Sequence, residues 1–570
     1  MKYYIFFLIL IIFAAFTACE DLDLNPLSEG SSETWYSNQS EIDMALNDLY
    51  RDVFWTTDVD ANGDGSWTDD WTSRNVVSQI AGGTINGEWS VVINLWKNSY
   101  TAISHANTVL ANLDRATDVP QVTLDKFAAE ARFVRASMYS LLISHFGDVI
   151  YFTENVDIDE AFTLARTDKN TILQAIYDDY DYAIANLPET YGSGENKRAT
   201  KGAAMALKAR IALYNSDWTT ARQEAKACMD LGIYTLYPDF RDLFLSKTKN
   251  PDEVIFAIPR SVELGVSIGS NYPIRATITR NPGGWGSWNP SWDLLASFLC
   301  TDGLPIDESP LFNPRDPFEN RDPRCNETIV PFQTEHLGFM YQPHPDSLQV
   351  LNFSTGKYQT NNDTRSVAQY ASYNGLIWRK WVDEDWSDDR LVDIDNFIIR
   401  YADVLLMYAE ASIELGQIDQ TVLDAMNMVR ARAYKVSIDQ TGAYPAITTT
   451  NQAELRKTVR IERRMEFAWE GLRYMDLIRW RIAEKALTTT IYGMLDPADL
   501  SNTIIPQGLW FWSETPQVDE DGIADFTPMF NAGYCKILAI RKFDASKQYL
   551  FPIPSKEILI NENLKQNPGY

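Results

Sequence analysis

The apolar residues of this chain recur mainly at the spacing of an α-helix, and that spacing constrains the fold more than any other feature. Only a tight turn separates the last two of the early helical segments, and alanines recur along both of them. Such a pair is expected to pack as an antiparallel hairpin. The periodicity predicts six helices in the first 235 residues, at 41–55, 91–113, 125–146, 168–187, 199–214 and 217–231.

The hairpin pattern returns near the end of the chain. Gly416 separates one pair of helical segments and Gly471 separates the next, as expected for glycines that end helices. Helix pairs of this kind resemble tetratricopeptide hairpins. The later helices are predicted at 399–415, 419–434, 451–470 and 472–487.

Between the two sets of helices, residues 235–395 lose the helical period. Short strand-like runs, such as residues 253–258, alternate there with segments rich in proline and glycine. An irregular block of this length inside a compact protein points to function. The predicted fold is therefore mainly α, a tetratricopeptide-like helical-hairpin scaffold with a large layer of loops and short strands.

The predicted organisation has a leader and two halves. The N-terminal half runs over residues 19–235, and the C-terminal half over residues 236–570. Within the latter we expect an irregular region at 236–397 and helical hairpins at 398–487. Both halves are expected to pack as one globular unit.

The first 18 residues have the pattern of an export signal. Lys2 precedes an apolar run at 3–16, and small residues lead to Cys19. The run is shorter than the roughly 20 residues that span a bilayer. The pattern looks like a bacterial lipoprotein signal, cut before Cys19 so that its thiol carries the lipid. An ordinary signal peptide and a transmembrane anchor are the alternatives. No later stretch is long and apolar enough to cross a membrane.

Charge and composition exclude several functions. The net charge of −28 arises from 78 acidic and 50 basic side chains, which disfavours binding to nucleic acid. With four histidines and neither a CxxC pair nor an HExxH motif, no metal or other cofactor is predicted. The cysteines after residue 19 are expected to be free or to form at most one disulfide: Cys228, Cys300, Cys325 and Cys535.

Clustered tryptophans supply the first candidate binding site. In residues 67–75 two indoles lie among carboxylates, an arginine and an asparagine. Indole rings can cover the apolar face of a sugar, while the polar groups bind its hydroxyls. The alternative is that the tryptophans fasten the loop to the scaffold. The candidates are Trp67, Asp69, Asp70, Trp71, Arg74 and Asn75.

A second candidate lies at 283–292, where glycines leave room around Trp285, Trp288 and Asn289. Trp89 is predicted to face the same site from a loop edge. Trp96 belongs to a helical pattern that favours the core, although a place at the site stays open. Residues 58–69, from Asp58 to Asp69, resemble part of a calcium loop but lack its final glutamate, so a solvated acidic turn is the alternative.

Several segments resemble the SusD/RagB family of outer-membrane lipoproteins. The clearest is RIERRMEFAWEGLRYMDLIRW at 460–480. Its alternating charges are interpreted as buried ion pairs that join helices. Further matches are CEDLDLNP at 19–26, AEARFVRASMYSLLISHFGDV at 129–149, NRDPR at 320–324, RYADVLLMYAEA at 400–411 and FPIPSKEILINENLKQNPGY at 551–570.

The resemblance implies a non-enzymatic, surface-exposed lipoprotein that binds a glycan. It also implies a partner, a SusC-like TonB-dependent β-barrel over which the protein acts as a lid. Two alternatives stay open. A surface glycoside hydrolase needs two opposed carboxylates, and Asp69 and Asp70 are adjacent in sequence. Capture of peptides is the other alternative.

Overall fold

The computed structural model describes residues 35–55, 67–192, 198–268 and 271–570. The leader, Cys19 and most of the segment at 58–69 that resembles a calcium loop lie outside this range. The protein is 41% helix and 10% strand, which confirms the mainly α prediction. None of the helices in the described ranges is both long and apolar enough to span a bilayer.

The helices of the N-terminal half follow the predicted periodicity closely. Several begin at a polar residue whose side chain accepts a hydrogen bond from a free backbone N–H, including Asp168, Thr200 and Asp217. A short helical turn, Ile158–Ala161, connects two of them. The longer helices are α1 (Gln39–Asp48), α2 (Ser90–Asn112), α3 (Gln121–Phe146), α4 (Lys169–Asn186), α5 (Lys201–Tyr214) and α6 (Trp218–Asp230).

In the described part of the C-terminal half, three short helices lie in the irregular region, three helices of 14 or 15 residues follow, and the remaining α-helices are short. The predicted segment at 472–487 is broken, because Arg481 adopts a left-handed conformation between two short helices. The helices are α7 (Asn271–Thr277), α8 (Trp292–Ser297), α9 (Pro323–Thr328), α10 (Tyr401–Glu414), α11 (Gln420–Ala433), α12 (Gln452–Glu466), α13 (Arg473–Arg479), α14 (Ala483–Ala486), α15 (Pro497–Asp499), α16 (Thr527–Asn531) and α17 (Ser555–Ile560).

Helix α10 joins the two groups of hairpins. It is buried along nearly its whole length and packs against α6 as well as α11 and α12. Arg210 of α5 donates to Asp403 of α10 at 2.8 Å. One continuous hydrophobic core therefore contains side chains from both halves.

The strands are short and form small antiparallel sheets. The largest has four strands in the order β6-β7-β8-β9, and the others are pairs. The strands are β1 (Trp71–Ser73), β2 (Val149–Ile150), β3 (Arg166–Thr167), β4 (Val254–Ile258), β5 (Trp288–Pro290), β6 (Thr334–His336), β7 (Phe339–Tyr341), β8 (Gln349–Asn352), β9 (Lys357–Thr360), β10 (Asn396–Arg400), β11 (Thr490–Gly493), β12 (Gln517–Val518), β13 (Ala524–Asp525) and β14 (Lys536–Ile540).

Buried ion pairs connect the helices, as predicted for the 460–480 segment. Glu466 at the end of α12 accepts from Arg400 at 2.7 Å and from Arg324 at 2.9 Å, and it also accepts from Arg432. Burial alone would raise the pKa of Glu466, but these three guanidiniums hold it well below its usual range. Four segments distant in sequence therefore meet at one carboxylate.

Candidate functional site

Strand pairing brings the two predicted tryptophan segments together. Strand β1 lies antiparallel to β5, with Trp71 opposite Pro290 and Ser73 opposite Trp288. Their side chains, however, have different environments. The indoles and carboxylates at 67–71 point into the protein, and Arg74, one residue beyond β1, reaches the surface.

Asp69 and Asp70 are buried in ion pairs. Asp69 accepts from Arg473 at 2.9 Å, and Arg464 lies 2.9 Å from both carboxylates. Burial raises the pKa of Asp70, whereas the arginines hold the pKa of Asp69 below its usual range despite burial. These carboxylates therefore bind the 460–480 segment and offer no oxygens to a ligand at the surface. The same pairing occupies Asp69, the last side chain of the segment that resembles part of a calcium loop.

Most of the candidate tryptophans belong to the core. Trp67, Trp71, Trp89, Trp96 and Trp288 are all buried. The Trp67 ring packs edge-on against a tyrosine and a phenylalanine, and the Trp71 ring packs edge-on against Trp288 at 5.4 Å. Their burial fits the alternative in which they fasten the loop to the scaffold, because enclosed rings present no face to a sugar.

Asn289 is also buried, in β5. Its amide donates to the carbonyl oxygens of Leu376 at 2.9 Å and Gly286 at 3.3 Å. Those bonds fix the backbone that carries Trp285. The contribution of Asn289 is therefore to position this loop.

Trp285 is half-buried and lies at the centre of an open aromatic surface. Tyr272, at the start of α7, packs edge-on against it with 5.2 Å between ring centroids. Tyr272 is 53% exposed and Tyr370 is 52% exposed. Arg74 connects the two backbone segments, because it donates to the carbonyl oxygens of Trp285 and Tyr370, each at 3.0 Å, and its guanidinium lies 5.5 Å from the Tyr370 ring centroid. Asn75 follows Arg74 and is exposed.

Two further arginines converge on Trp285. The Arg275 guanidinium lies over its indole, 5.7 Å from the ring centroid. Arg280 donates to the Trp285 carbonyl oxygen at 3.5 Å, the same oxygen that accepts from Arg74. Burial lowers the pKa of Arg74, and the charge of Arg280 lowers it further. We call this group the Trp285 surface: Arg74, Asn75, Tyr272, Arg275, Arg280, Trp285 and Tyr370.

The sequence interpretation identified Arg74, Asn75 and Trp285 but missed the remaining members. Tyr272 and Tyr370 occur in loop sequences with asparagine, serine and glycine, so the criterion applied to the tryptophans would have found them. No sequence signal indicated Arg275 and Arg280, because their convergence depends on the turn between α7 and β5.

A separate cavity of about 220 Å³ lies within the helical scaffold. Its lining is mostly apolar core, including Trp55, Trp67 and Tyr474. Among the residues that the structure describes, no group of His, Cys, Asp or Glu is arranged to hold a metal ion. The Trp285 surface is therefore the better candidate for a large polar ligand.

Comparison with known proteins identifies the architecture. The SusD family profile matches residues 252–570, and a second profile, described as "Starch-binding associating with outer membrane", matches residues 22–213. A SusD-like protein of Formosa agariphila is 25% identical over 512 residues, covering 83% of this chain and 89% of its own. A SusD-like protein of Bacteroides ovatus is 25% identical over 495 residues, covering 82% and 80%.

One solved structure superposes on nearly the whole of this chain. A SusD-like carbohydrate-binding protein from Bacteroides fragilis superposes with a TM-score of 0.76 at 28% identity, covering 93% of this chain and 99% of that one. The helical hairpins with an irregular layer thus define a SusD-like fold. The chain belongs to the SusD family, which confirms the resemblance inferred from its motifs.

Proposed function

We propose that this protein binds glycan at the Trp285 surface, without cleaving it. The observation that carries the proposal is the convergence of three exposed or half-exposed aromatic rings with hydrogen-bonding side chains on an open face. The similar Bacteroides fragilis protein, described as carbohydrate-binding, supports the same ligand class.

The chemistry of this surface suits sugars. A pyranose ring has an apolar face of C–H groups that packs on aromatic side chains, and its hydroxyls are hydrogen-bonded by planar polar groups. Tyr272, Trp285 and Tyr370 provide the rings, while Arg74 and Asn75 provide polar groups at their edge. An open surface also accepts the middle of a long chain, which a closed pocket does not.

We further propose that Cys19 carries a lipid that anchors the protein to the outer membrane, with its body exposed at the cell surface. In this proposal the protein closes as a lid over a SusC-like, TonB-dependent barrel and delivers glycan to it. The lipoprotein-like leader and the family description, which includes outer-membrane association, support this proposal. Membrane fractionation of cells with Cys19→Ala tests the anchor, and co-purification of the barrel tests the complex.

Isothermal titration against a panel of polysaccharides tests glycan binding. Trp285→Ala is expected to weaken binding at least tenfold, because it removes the central ring of the surface. Phe162→Ala is the control, since Phe162 is 45% exposed and directly follows the helical turn Ile158–Ala161, outside the Trp285 surface. If Trp285→Ala and Phe162→Ala bind the glycan with equal affinity, the Trp285 surface is not the binding site. Absence of reducing-sugar release from the bound glycan is expected; release would favour the hydrolase alternative.

A further inference from the structure

We propose that the Trp285 surface selects anionic glycans, whose sugars carry carboxylate or sulfate groups. This inference rests on the proposed glycan binding and specifies its ligand class. Its basis is the arrangement of Arg74, Arg275 and Arg280 around a single tryptophan.

All three guanidiniums lie against Trp285. Arg74 and Arg280 both donate to its carbonyl oxygen, and Arg275 lies over its ring. All three side chains are partly accessible to solvent. Their positive charges therefore accumulate at the place where the aromatic rings are exposed.

These arginines lack carboxylate partners, unlike the arginines of the core. None of the three forms an ion pair with a residue in the described part of the chain, and the Nε atom of each has no hydrogen-bond acceptor there. The neighbouring carboxylate, Asp363, accepts instead from the backbone N–H groups of Arg280 and Asn281, at 2.6 and 3.4 Å. In the core, by contrast, Glu466 alone accepts from three arginines.

The charge of the whole chain makes this group notable. Acidic side chains outnumber basic ones by 78 to 50 in the whole chain, yet among the described residues no carboxylate forms an ion pair with Arg74, Arg275 or Arg280. Like charges held close together repel each other, and an anion between them relieves the repulsion. A ligand that carries a negative charge would therefore bind more tightly at this surface than a neutral sugar of the same size.

The geometry of arginine suits the anions that polysaccharides carry. A guanidinium donates two parallel hydrogen bonds to a carboxylate or a sulfate, and such charge-assisted bonds are about twice as strong as neutral ones. A uronate or sulfated sugar packed on Tyr272 or Tyr370 would place its anionic group beside Arg74, Arg275 or Arg280. The rings hold the sugar, and the arginines select its charge.

Matched pairs of oligosaccharides test the selection by titration. One pair is oligogalacturonate and its methyl ester, and the other is κ-carrageenan oligosaccharide and its desulfated form. At least one anionic member is expected to bind about tenfold more tightly than its neutral partner. Arg275→Gln and Arg280→Gln should each weaken that binding about tenfold and change neutral binding less than threefold.

Arg51→Gln is the control for general charge effects, because Arg51 is exposed and pairs with Asp48 at the end of α1, outside the Trp285 surface. If the neutral and the anionic oligosaccharides of each pair bind equally tightly, and Trp285→Ala abolishes the binding of both, the selection of anionic glycans is overturned while the proposal of glycan binding stands. Anionic binding that is unchanged in both arginine variants would also overturn the selection. Absence of binding to every glycan in the wider panel would overturn glycan binding and this inference together.

Discussion

Replacement of Glu466 by glutamine should destabilise the protein strongly, because it leaves three buried arginines without their shared carboxylate. Breaking a buried ion pair from one side costs about 3–5 kcal/mol. For 570 residues that unfold as one unit, ~2 cal/mol/K per residue gives an unfolding entropy of roughly 1.2 kcal/mol/K. A loss of about 4 kcal/mol then corresponds to a fall in Tm of about 3–4 °C.

Glu520→Gln is the matched control, since it makes the same chemical change in an exposed pair. Glu520 is 66% exposed and lies 3.1 Å from Lys457, so its loss should cost less than about 1 kcal/mol and shift Tm by less than about 1 °C. Differential scanning calorimetry at pH 7 measures both variants. If Glu466→Gln shifts Tm no more than Glu520→Gln does, the carboxylate is not central to the ion-pair network.

Three further predictions concern buried groups. Burial raises the pKa of Asp363 to about 6, so its charged form opposes folding. In urea titrations, the free energy of unfolding of the wild type relative to Asp363→Asn should therefore fall as the pH rises from about 4 to 6. A difference between the two proteins that does not change with pH would contradict this prediction. Asp69→Asn should lower Tm by several degrees, because it removes the buried carboxylate that pairs with Arg473. The variant should keep its affinity for glycan at 10 °C. Loss of affinity with an unchanged Tm would indicate instead that Asp69 contacts the ligand. Ellman's reagent should modify the native protein slowly and the unfolded protein fast, because burial raises the pKa of three thiols to about 12: Cys228, Cys325 and Cys535.

The helical scaffold could be predicted from sequence because its signals are local. Apolar spacing marked most of the long helices within a few residues, and caps such as Thr200 and Asp217 lie where the pattern begins. The first helix is an exception, because α1 ends at Asp48, well before its predicted end at residue 55. The break after α13 was missed, since the left-handed Arg481 interrupts a segment whose apolar period continues. The described cysteines are free and buried, in agreement with the expectation of free thiols or one disulfide.

The site was harder to predict because exposure is not a local property. Trp71 and Trp285 both occur among glycine, asparagine, aspartate and serine, yet the first is buried beside β5 and the second is only half-buried. Asp69 and Asp70 resembled ligands for sugar hydroxyls, but their partners, Arg464 and Arg473, come about 400 residues later. Only the three-dimensional fold distinguishes a carboxylate that binds a ligand from one that neutralises a distant arginine.

Hydroxyl-radical footprinting of the protein with and without a glycan that binds it tests the central claim most directly. The method measures the oxidation of exposed aromatic side chains, so it locates the ligand without a substitution. Bound glycan is predicted to protect Tyr272, Trp285 and Tyr370 while Phe162 stays equally reactive. Protection of a different face, with those three side chains oxidised as before, would contradict the claim that the Trp285 surface binds the glycan.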